Sequence, residues 1–185
     1  MRTGARDAVN TERNRWCEIK AGLRLIAEYD PDFLKRYQRS MLTKVMNSAL
    51  QISGAPMGNI QLFDSRSNSL RIEVEHGFQD SFLQFFDSVQ CGEAACGTAL
   101  KKRIRVAVGD VKRSPLFRDT AALEVLLDAG VHAVQSTPLI GRSGTLLGVI
   151  STHWCSPSQM NGSDFLPLDV LAQHTANWME ERASV

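Results

Sequence analysis

Residues 130–154 read GVHAVQSTPLIGRSGTLLGVISTHW, and this stretch decides which fold the chain adopts. Two apolar-rich runs flank Gly-Arg-Ser-Gly, a pattern that predicts a β-hairpin. If the turn closes symmetrically about Arg142 and Ser143, His132 lies opposite His153, with Cβ atoms about 4.5–5.5 Å apart. Such a pair could bind a metal or an acidic ligand, or be satisfied by backbone groups and water. A one-residue bulge would separate the two imidazoles.

The segments on either side of this hairpin predict an α+β fold. Hairpins near both ends of the chain favour a mostly antiparallel sheet covered by helices over a doubly wound parallel sheet. The predicted helices cover residues 16–29, Phe33–Ile52, Ser81–Val89, Ala95–Lys101 and Thr120–Asp128, with a last one from Phe165, and the other predicted strands are MGNIQLFD, SLRIEVEHG and IRVAVGDV.

The composition excludes several classes of protein. A length of 185 residues with 43% hydrophobic and 22% charged residues fits one globular domain with a short extension. A formal charge of +1 argues against nucleic-acid binding, which usually requires a strongly basic face. No run approaches the roughly 18 apolar residues of a membrane span, so we expect a cytoplasmic protein without a membrane partner. Four irregularly spaced cysteines favour reduced thiols.

Three stretches carry a resemblance to a known family: IEVEHGFQDSFLQFF, ACGTALKKRIRVAVGDV and AGVHAVQSTPLIGRSGTLLGVISTHWCSP. Their order and spacing resemble a GAF domain, the small-molecule sensing module of many signalling proteins, of the type that accompanies PAS domains and histidine kinases in bacteria. The resemblance covers residues 36–182, preceded by a helical lead at 16–35 and a flexible tail at 1–15. It implies a GAF/PAS-like central antiparallel sheet with the terminal helices on one face. Short helices and loops would enclose a ligand pocket on the other face.

Small-molecule pockets combine apolar residues with a few polar groups, and the candidate site has this combination. We predict no catalytic residue, no metal site and no cofactor. The expected partners are an unidentified small molecule, a second copy of the chain bound through the terminal helices, and a histidine kinase or another signalling protein. The candidate pocket residues are Phe82, Phe85, Cys96, Phe117, His132, Val134, Ser136, Ser151 and His153.

Two alternatives to the sensor remain open. Cys96 lies in CGTA, which resembles a cysteine motif of the free methionine-R-sulfoxide reductases, enzymes with a GAF fold. Cys91 would then be the resolving partner that thiol chemistry requires. However, that family carries a further cysteine before the central strand, and LLDAGVHAVQS has none, so a small packed Cys96 is the favoured interpretation. The second alternative is a ligand-free dimerisation module.

Overall fold

The computed structural model describes residues 32–158 and 165–183, together with residues 18, 21, 22 and 30. The tail predicted for residues 1–15 lies outside the described residues, as does most of the helix predicted for residues 16–29.

Six strands in the described part of the chain form one sheet in the order β3-β2-β1-β6-β5-β4. Every neighbouring pair in this sheet is antiparallel, as the sequence predicted. The strands are β1 (Met57–Asp64), β2 (Ser69–His76), β3 (Ser88–Gln90), β4 (Val106–Val108), β5 (Ala133–Ile140) and β6 (Leu146–Trp154). The helices are α1 (Phe33–Ser53), α2 (Asp80–Phe85), α3 (Ala94–Lys102), α4 (Ala121–Asp128) and α5 (Leu166–Ala183).

One face of the sheet, called the helix face, is covered by the first and last of these helices. In α1, Leu42, Met46 and Ala49 recur at helical spacing and are buried. The helix ends at Gly54, whose φ of +64° is one that glycine adopts without steric cost. Leu168 and Ala172 of α5 belong to the same buried cluster. The predicted placement of the terminal helices is therefore confirmed.

The opposite face, called the pocket face, is covered by α2, α3, α4 and the loops that join them, which together we call the roof. Phe82 of α2, Leu100 of α3 and Leu126 of α4 are buried in one apolar cluster against the sheet. Helix α3 approaches the sheet edge closely, because a Cβ atom at Gly97 would lie 2.3 Å from the backbone oxygen of Gln90. Packing against Gln90 thus requires a glycine at Gly97, the glycine of CGTA.

Two predicted elements in the middle of the chain differ from the structure. The helix predicted for Ser81–Val89 ends at Phe85, and Ser88–Gln90 forms strand β3 instead. Val89 lies opposite Leu70, so the free edge of β2 takes up this segment as a strand. The strand predicted in IRVAVGDV is confined to Val106–Val108.

The predicted register of the β5–β6 hairpin is wrong. Val134, and not His132, lies opposite His153. The turn spans five residues, closed by a 2.9 Å hydrogen bond from the Gly141 N–H to the Thr145 carbonyl oxygen. A bulge beyond the turn then shifts the register by another residue. His132 lies before β5, where its N–H donates to the Trp154 carbonyl oxygen at 2.8 Å.

Candidate ligand site

Strand alternation places a set of polar side chains on the pocket face. Asn59 and Gln61 are two residues apart on β1, and Ile60 between them joins the core of the helix face. Directly opposed residues of a sheet share a face, so the pairing of Ser136 with Ser151 puts both hydroxyls beneath the roof. The pairing of Val134 with His153 does the same for the imidazole.

These strands and the roof enclose a small inner cavity. Its volume is about 20 Å³, close to the space of one water molecule. The base of the cavity is polar, and the residues of the roof that surround it are apolar. The cavity is lined by Asn59, Gln61, Phe82, Phe86, Ala94, Ala95, Cys96, Phe117, Leu126, Val134, Ser136, Ser151 and His153.

A larger outer cavity of about 410 Å³ lies beside the inner one. The two cavities share Phe86, Ala94 and Phe117 as lining residues, so these three residues lie where the cavities adjoin. A volume of this size lies within the usual range of small-molecule sites. The remaining lining residues of the outer cavity are Phe85, Ser88, Val89, Gly92, Glu93, Leu116, Thr120, Ala121 and Ala122.

The structure brings together most of the predicted pocket residues. Phe85, which is 42% exposed, lines the outer cavity and not the inner one. His132 lines neither of these cavities, because it lies before β5 and outside the residues that pair with β6. The other seven of the nine predicted residues line the inner cavity: Phe82, Cys96, Phe117, Val134, Ser136, Ser151 and His153.

Sequence reasoning missed the two amides on β1. Asn59 and Gln61 stand at alternate positions of MGNIQLFD, a strand that is otherwise largely apolar. A spacing of two places both side chains on one face of a strand. Both are almost completely buried, with exposures of 3% and 1%. This alternation was the signal that could have identified them.

The hydrogen bonds at the site are incomplete. The Ser136 and Ser151 hydroxyls satisfy one another at 2.8 Å, and Gln61 Nε2 donates to the Phe86 carbonyl oxygen at 3.4 Å. Three buried side-chain atoms among the described residues have no partner: Asn59 Oδ1, Gln61 Oε1 and His153 Nδ1. All three belong to residues that line the inner cavity.

Burial also sets the protonation states of the titratable groups at the site. Desolvation lowers the pKa of His153 to about 3 and raises the pKa of Cys96 to about 12, so both are neutral near pH 7. The His153 ring meets the edge of Phe78 at 5.0 Å between ring centroids, in a T-shaped contact. The lining of the inner cavity includes no Asp, Glu, Lys or Arg.

No group of three or more His, Cys, Asp or Glu side chains suited to a metal ion occurs within the described residues. None of the helices in the described ranges is long and apolar enough to cross a membrane.

The comparison with protein families agrees with this arrangement. The family model for the GAF domain matches residues 38–180, most of the chain. The chain belongs to the GAF domain family. The recognition made from the three sequence stretches is therefore confirmed, as is the α+β fold with its antiparallel sheet. A search of curated proteins gave no match to this sequence.

Solved structures with the same fold come from proteins of different activities. The GAF domain region of a membrane protein from Geobacter sulfurreducens PCA has a TM-score of 0.66 and 16% identity, covering 79% of this chain and 95% of that one. A domain ascribed to a two-component sensor histidine kinase protein from Sinorhizobium meliloti 1021 has a TM-score of 0.64 and 16% identity, covering 78% and 92%. The free methionine-R-sulfoxide reductase from Neisseria meningitidis, in complex with its substrate, has a TM-score of 0.62 and 22% identity, covering 80% and 81%. At these identities the likeness shows the fold alone.

Proposed function

We propose that this GAF domain is a sensor that binds a small molecule between the sheet and the roof and passes a conformational change to a signalling partner. The observation that carries the proposal is that three buried polar atoms without a partner all belong to residues that line one cavity. Each such atom costs about 1–3 kcal/mol when it is left without a partner. A ligand that satisfies them recovers this free energy, which favours the occupied state.

The route of the conformational change would run through the β5–β6 hairpin to α5. Both strands of this hairpin contribute residues to the inner cavity. Its turn is bound to α5, because the Ser143 N–H donates to Glu180 Oε2 at 3.2 Å and Gln173 Nε2 donates to the Ile140 carbonyl oxygen at 2.9 Å. Arg142 and Glu181 add an ion pair at 3.4 Å. A change in the hairpin on binding would therefore displace this helix.

The partner of the sensor would be a second copy of the chain, together with a histidine kinase or another signalling protein. The terminal helices expose apolar side chains, including Ile52 at 44%, Leu166 at 59% and Val170 at 57%. Such residues on the outer surface of α1 and α5 support a dimer through these helices. Light scattering that gives a monomer at tens of micromolar would contradict this part of the proposal.

The sensor is proposed to act without catalysis and in the cytoplasm of a bacterium. Nucleophilic thiol chemistry requires a thiolate, and burial keeps the Cys96 thiol protonated. Cys91, Cys96 and Cys155 are all free thiols, which fits a reducing compartment.

The alternative function is a thiol reductase, because two of the similar structures are free methionine-R-sulfoxide reductases. The two activities are distinguished by incubating the protein with free methionine sulfoxide and a thiol reductant. We expect no turnover. Steady turnover that is lost in Cys96→Ser would contradict the non-catalytic proposal.

Ligand binding itself is tested by native mass spectrometry of the full chain and of two variants. Ala122→Trp places a large side chain in the outer cavity, while Glu124→Trp makes the same addition on an exposed part of the same helix, outside both cavities. We expect a small molecule to co-purify with the wild type and with Glu124→Trp, and to be lost from Ala122→Trp. Equal occupancy in both variants would place the bound molecule elsewhere.

A ligand-free dimerisation module makes a different prediction for the same measurement. It predicts that no molecule co-purifies and that no small compound raises the melting temperature of any of the three proteins. Those two results together would replace the sensor with that alternative.

A further inference from the structure

The chemistry of the partnerless atoms indicates what kind of ligand group the inner cavity accepts. Gln61 Nε2 already donates to the Phe86 carbonyl oxygen, so the amide orientation is fixed and Oε1 is left as an acceptor. Asn59 Oδ1 is a second buried acceptor, and His153 Nδ1 is a third in the neutral tautomer that carries its proton on Nε2. The Ser136 and Ser151 hydroxyls already pair with each other. The unmet need of the site is therefore for hydrogen-bond donors.

The charge of the lining restricts the ligand further. The inner cavity has no Asp or Glu to compensate a cation and no Lys or Arg to compensate an anion. A full charge moved into such a space without a counter-charge loses a large hydration free energy. Because its pKa is lowered to about 3, His153 does not supply a positive charge at neutral pH. An uncharged donor group fits this site better than an ammonium or a carboxylate.

The sizes of the two cavities divide the ligand into a head and a body. The inner cavity of about 20 Å³ accepts a group of one or two heavy atoms, such as an amide nitrogen. The outer cavity of about 410 Å³ is bounded by Phe85, Val89 and Leu116, and by the shared rings of Phe86 and Phe117. Aromatic side chains favour flat rings that stack or meet them edge-on.

We infer that the ligand is a ring-containing molecule with an uncharged carboxamide or aromatic amino group, whose N–H donors enter the inner cavity while its ring occupies the outer one. This inference rests on the proposed function, since it specifies the chemistry of the same site. The donors would be accepted by Asn59 Oδ1, Gln61 Oε1 and His153 Nδ1, and the ring would contact Phe86 and Phe117.

The test uses four compounds of similar shape that differ in the head group: benzamide, benzoate, benzylammonium and toluene. Their dissociation constants for the full chain are measured by NMR titration at pH 7.5. We expect benzamide to bind at least tenfold more tightly than each of the others. Benzamide should bind more tightly than toluene because its two N–H donors meet buried acceptors. Benzoate and benzylammonium should bind more weakly than benzamide because the inner cavity has no opposite charge to compensate theirs.

Two variants assign this preference to the inner cavity. Asn59→Leu keeps the branched outline of the side chain, although it is bulkier, and removes the amide acceptor, so we expect benzamide to bind about tenfold more weakly while toluene binds as well as before. Thr137→Val removes a buried hydroxyl on the helix face of β5 and should change neither affinity. The toluene affinity reports whether Asn59→Leu still folds with an intact site.

The outcomes separate this inference from the proposed function. If toluene or benzoate binds as tightly as benzamide, and Ala122→Trp abolishes that binding, the ligand site stands and the donor chemistry is wrong. An unchanged benzamide affinity in Asn59→Leu also overturns the inference. If none of the four compounds binds at millimolar concentration, the inference fails. If in addition no molecule co-purifies with the protein, the proposed function fails with it.

Discussion

The helix face and the pocket face of the sheet both bury polar side chains, but only the helix face completes their hydrogen bonds. On the helix face, Gln135 donates through Nε2 to the Thr137 hydroxyl and accepts from Thr152 Oγ1 at 3.0 Å. Thr175 of α5 donates to the Leu171 carbonyl oxygen at 2.8 Å. These buried polar groups of the helix face are therefore paired, and they stabilise one arrangement of strands and helices.

On the pocket face, polar side chains that are just as deeply buried have atoms without a hydrogen-bond partner. Asn59, Gln61 and His153 are at most 4% exposed, and each has an atom without a partner. Buried polar groups in folded proteins are nearly always paired, so this concentration at one cavity is unusual. The sheet therefore supports the fold through one face and offers binding capacity through the other. Four measurements test this distinction.

The largest effect is expected from truncating a buried side chain in the core of the helix face. Leu139 is fully buried there, and Leu139→Ala should lower the free energy of unfolding by about 2–5 kcal/mol in chemical denaturation. Benzamide should bind this variant as it binds the wild type, provided that both are measured well below the unfolding midpoint. The control Ile104→Ala, at a residue 60% exposed and outside the terminal helices and both cavities, should change the free energy by less than about 0.5 kcal/mol. A loss below about 1 kcal/mol for Leu139→Ala would mean that this core is not essential.

A matched pair of amide substitutions compares the two faces directly. Gln135→Leu leaves the Thr137 and Thr152 hydroxyls without their partner and should destabilise the ligand-free protein by about 1–3 kcal/mol. Asn59→Leu removes an acceptor that has no partner, and should be neutral or stabilise the protein by up to about 1 kcal/mol. Equal destabilisation by both substitutions, in urea titrations of ligand-free protein, would remove the distinction between the faces.

The buried imidazole predicts a pH dependence of stability. The pKa of His153 is lowered to about 3 in the folded state, against about 6.5 when the chain is unfolded. The unfolded state therefore gains a proton first as the pH falls, and stability decreases below pH 6.5. Between pH 6.5 and pH 5 the loss is at most about 2 kcal/mol.

His153→Gln should remove this contribution, which is measured as the difference between wild type and variant at each pH. The difference should be constant above pH 7.5, where neither state of His153 binds a proton. A difference that is also constant from pH 7.5 down to pH 5 would show that His153 does not have the lowered pKa.

The smallest effect concerns backbone strain at Ala94, a residue that lines both cavities. Ala94 has a φ of +48°, in the left-handed region that a residue with a Cβ rarely adopts. Ala94→Gly should relieve this strain, while it also increases the conformational freedom of the unfolded chain. The net gain in the free energy of unfolding should be up to about 1 kcal/mol, measured as a slightly higher melting temperature. Ala99→Gly, inside α3 at a fully buried position, should instead destabilise the protein by about 1 kcal/mol. A lowered melting temperature for Ala94→Gly would show that its methyl group contributes more than the strain costs.

The sequence predicted the elements whose patterns are local. The helix from Phe33 and the strands β1 and β2 were each predicted from the pattern of residues within a single segment. Strand β3 could not be read in this way, because its three residues are extended only through pairing with β2. The same limit applied to the hairpin register, which depends on a five-residue turn and a bulge rather than on the composition of either strand.

The candidate site was predictable to the extent that it depends on strand alternation. Ser136, Ser151 and His153 share a face in the predicted register and in the observed one, because the two differ by an even number of residues. The separation into an inner and an outer cavity was not predictable. It depends on where Phe86 and Phe117, which line both cavities, lie relative to one another, and no pattern within either segment encodes that arrangement.

The outer strands of the sheet have a consequence for assembly. Strands β3 and β4, at its two edges, are only three residues long. A strand this short exposes few backbone donors and acceptors, so β3 and β4 are themselves poor templates for a strand from another molecule. Fibre growth by strand addition onto β3 or β4 is thereby disfavoured.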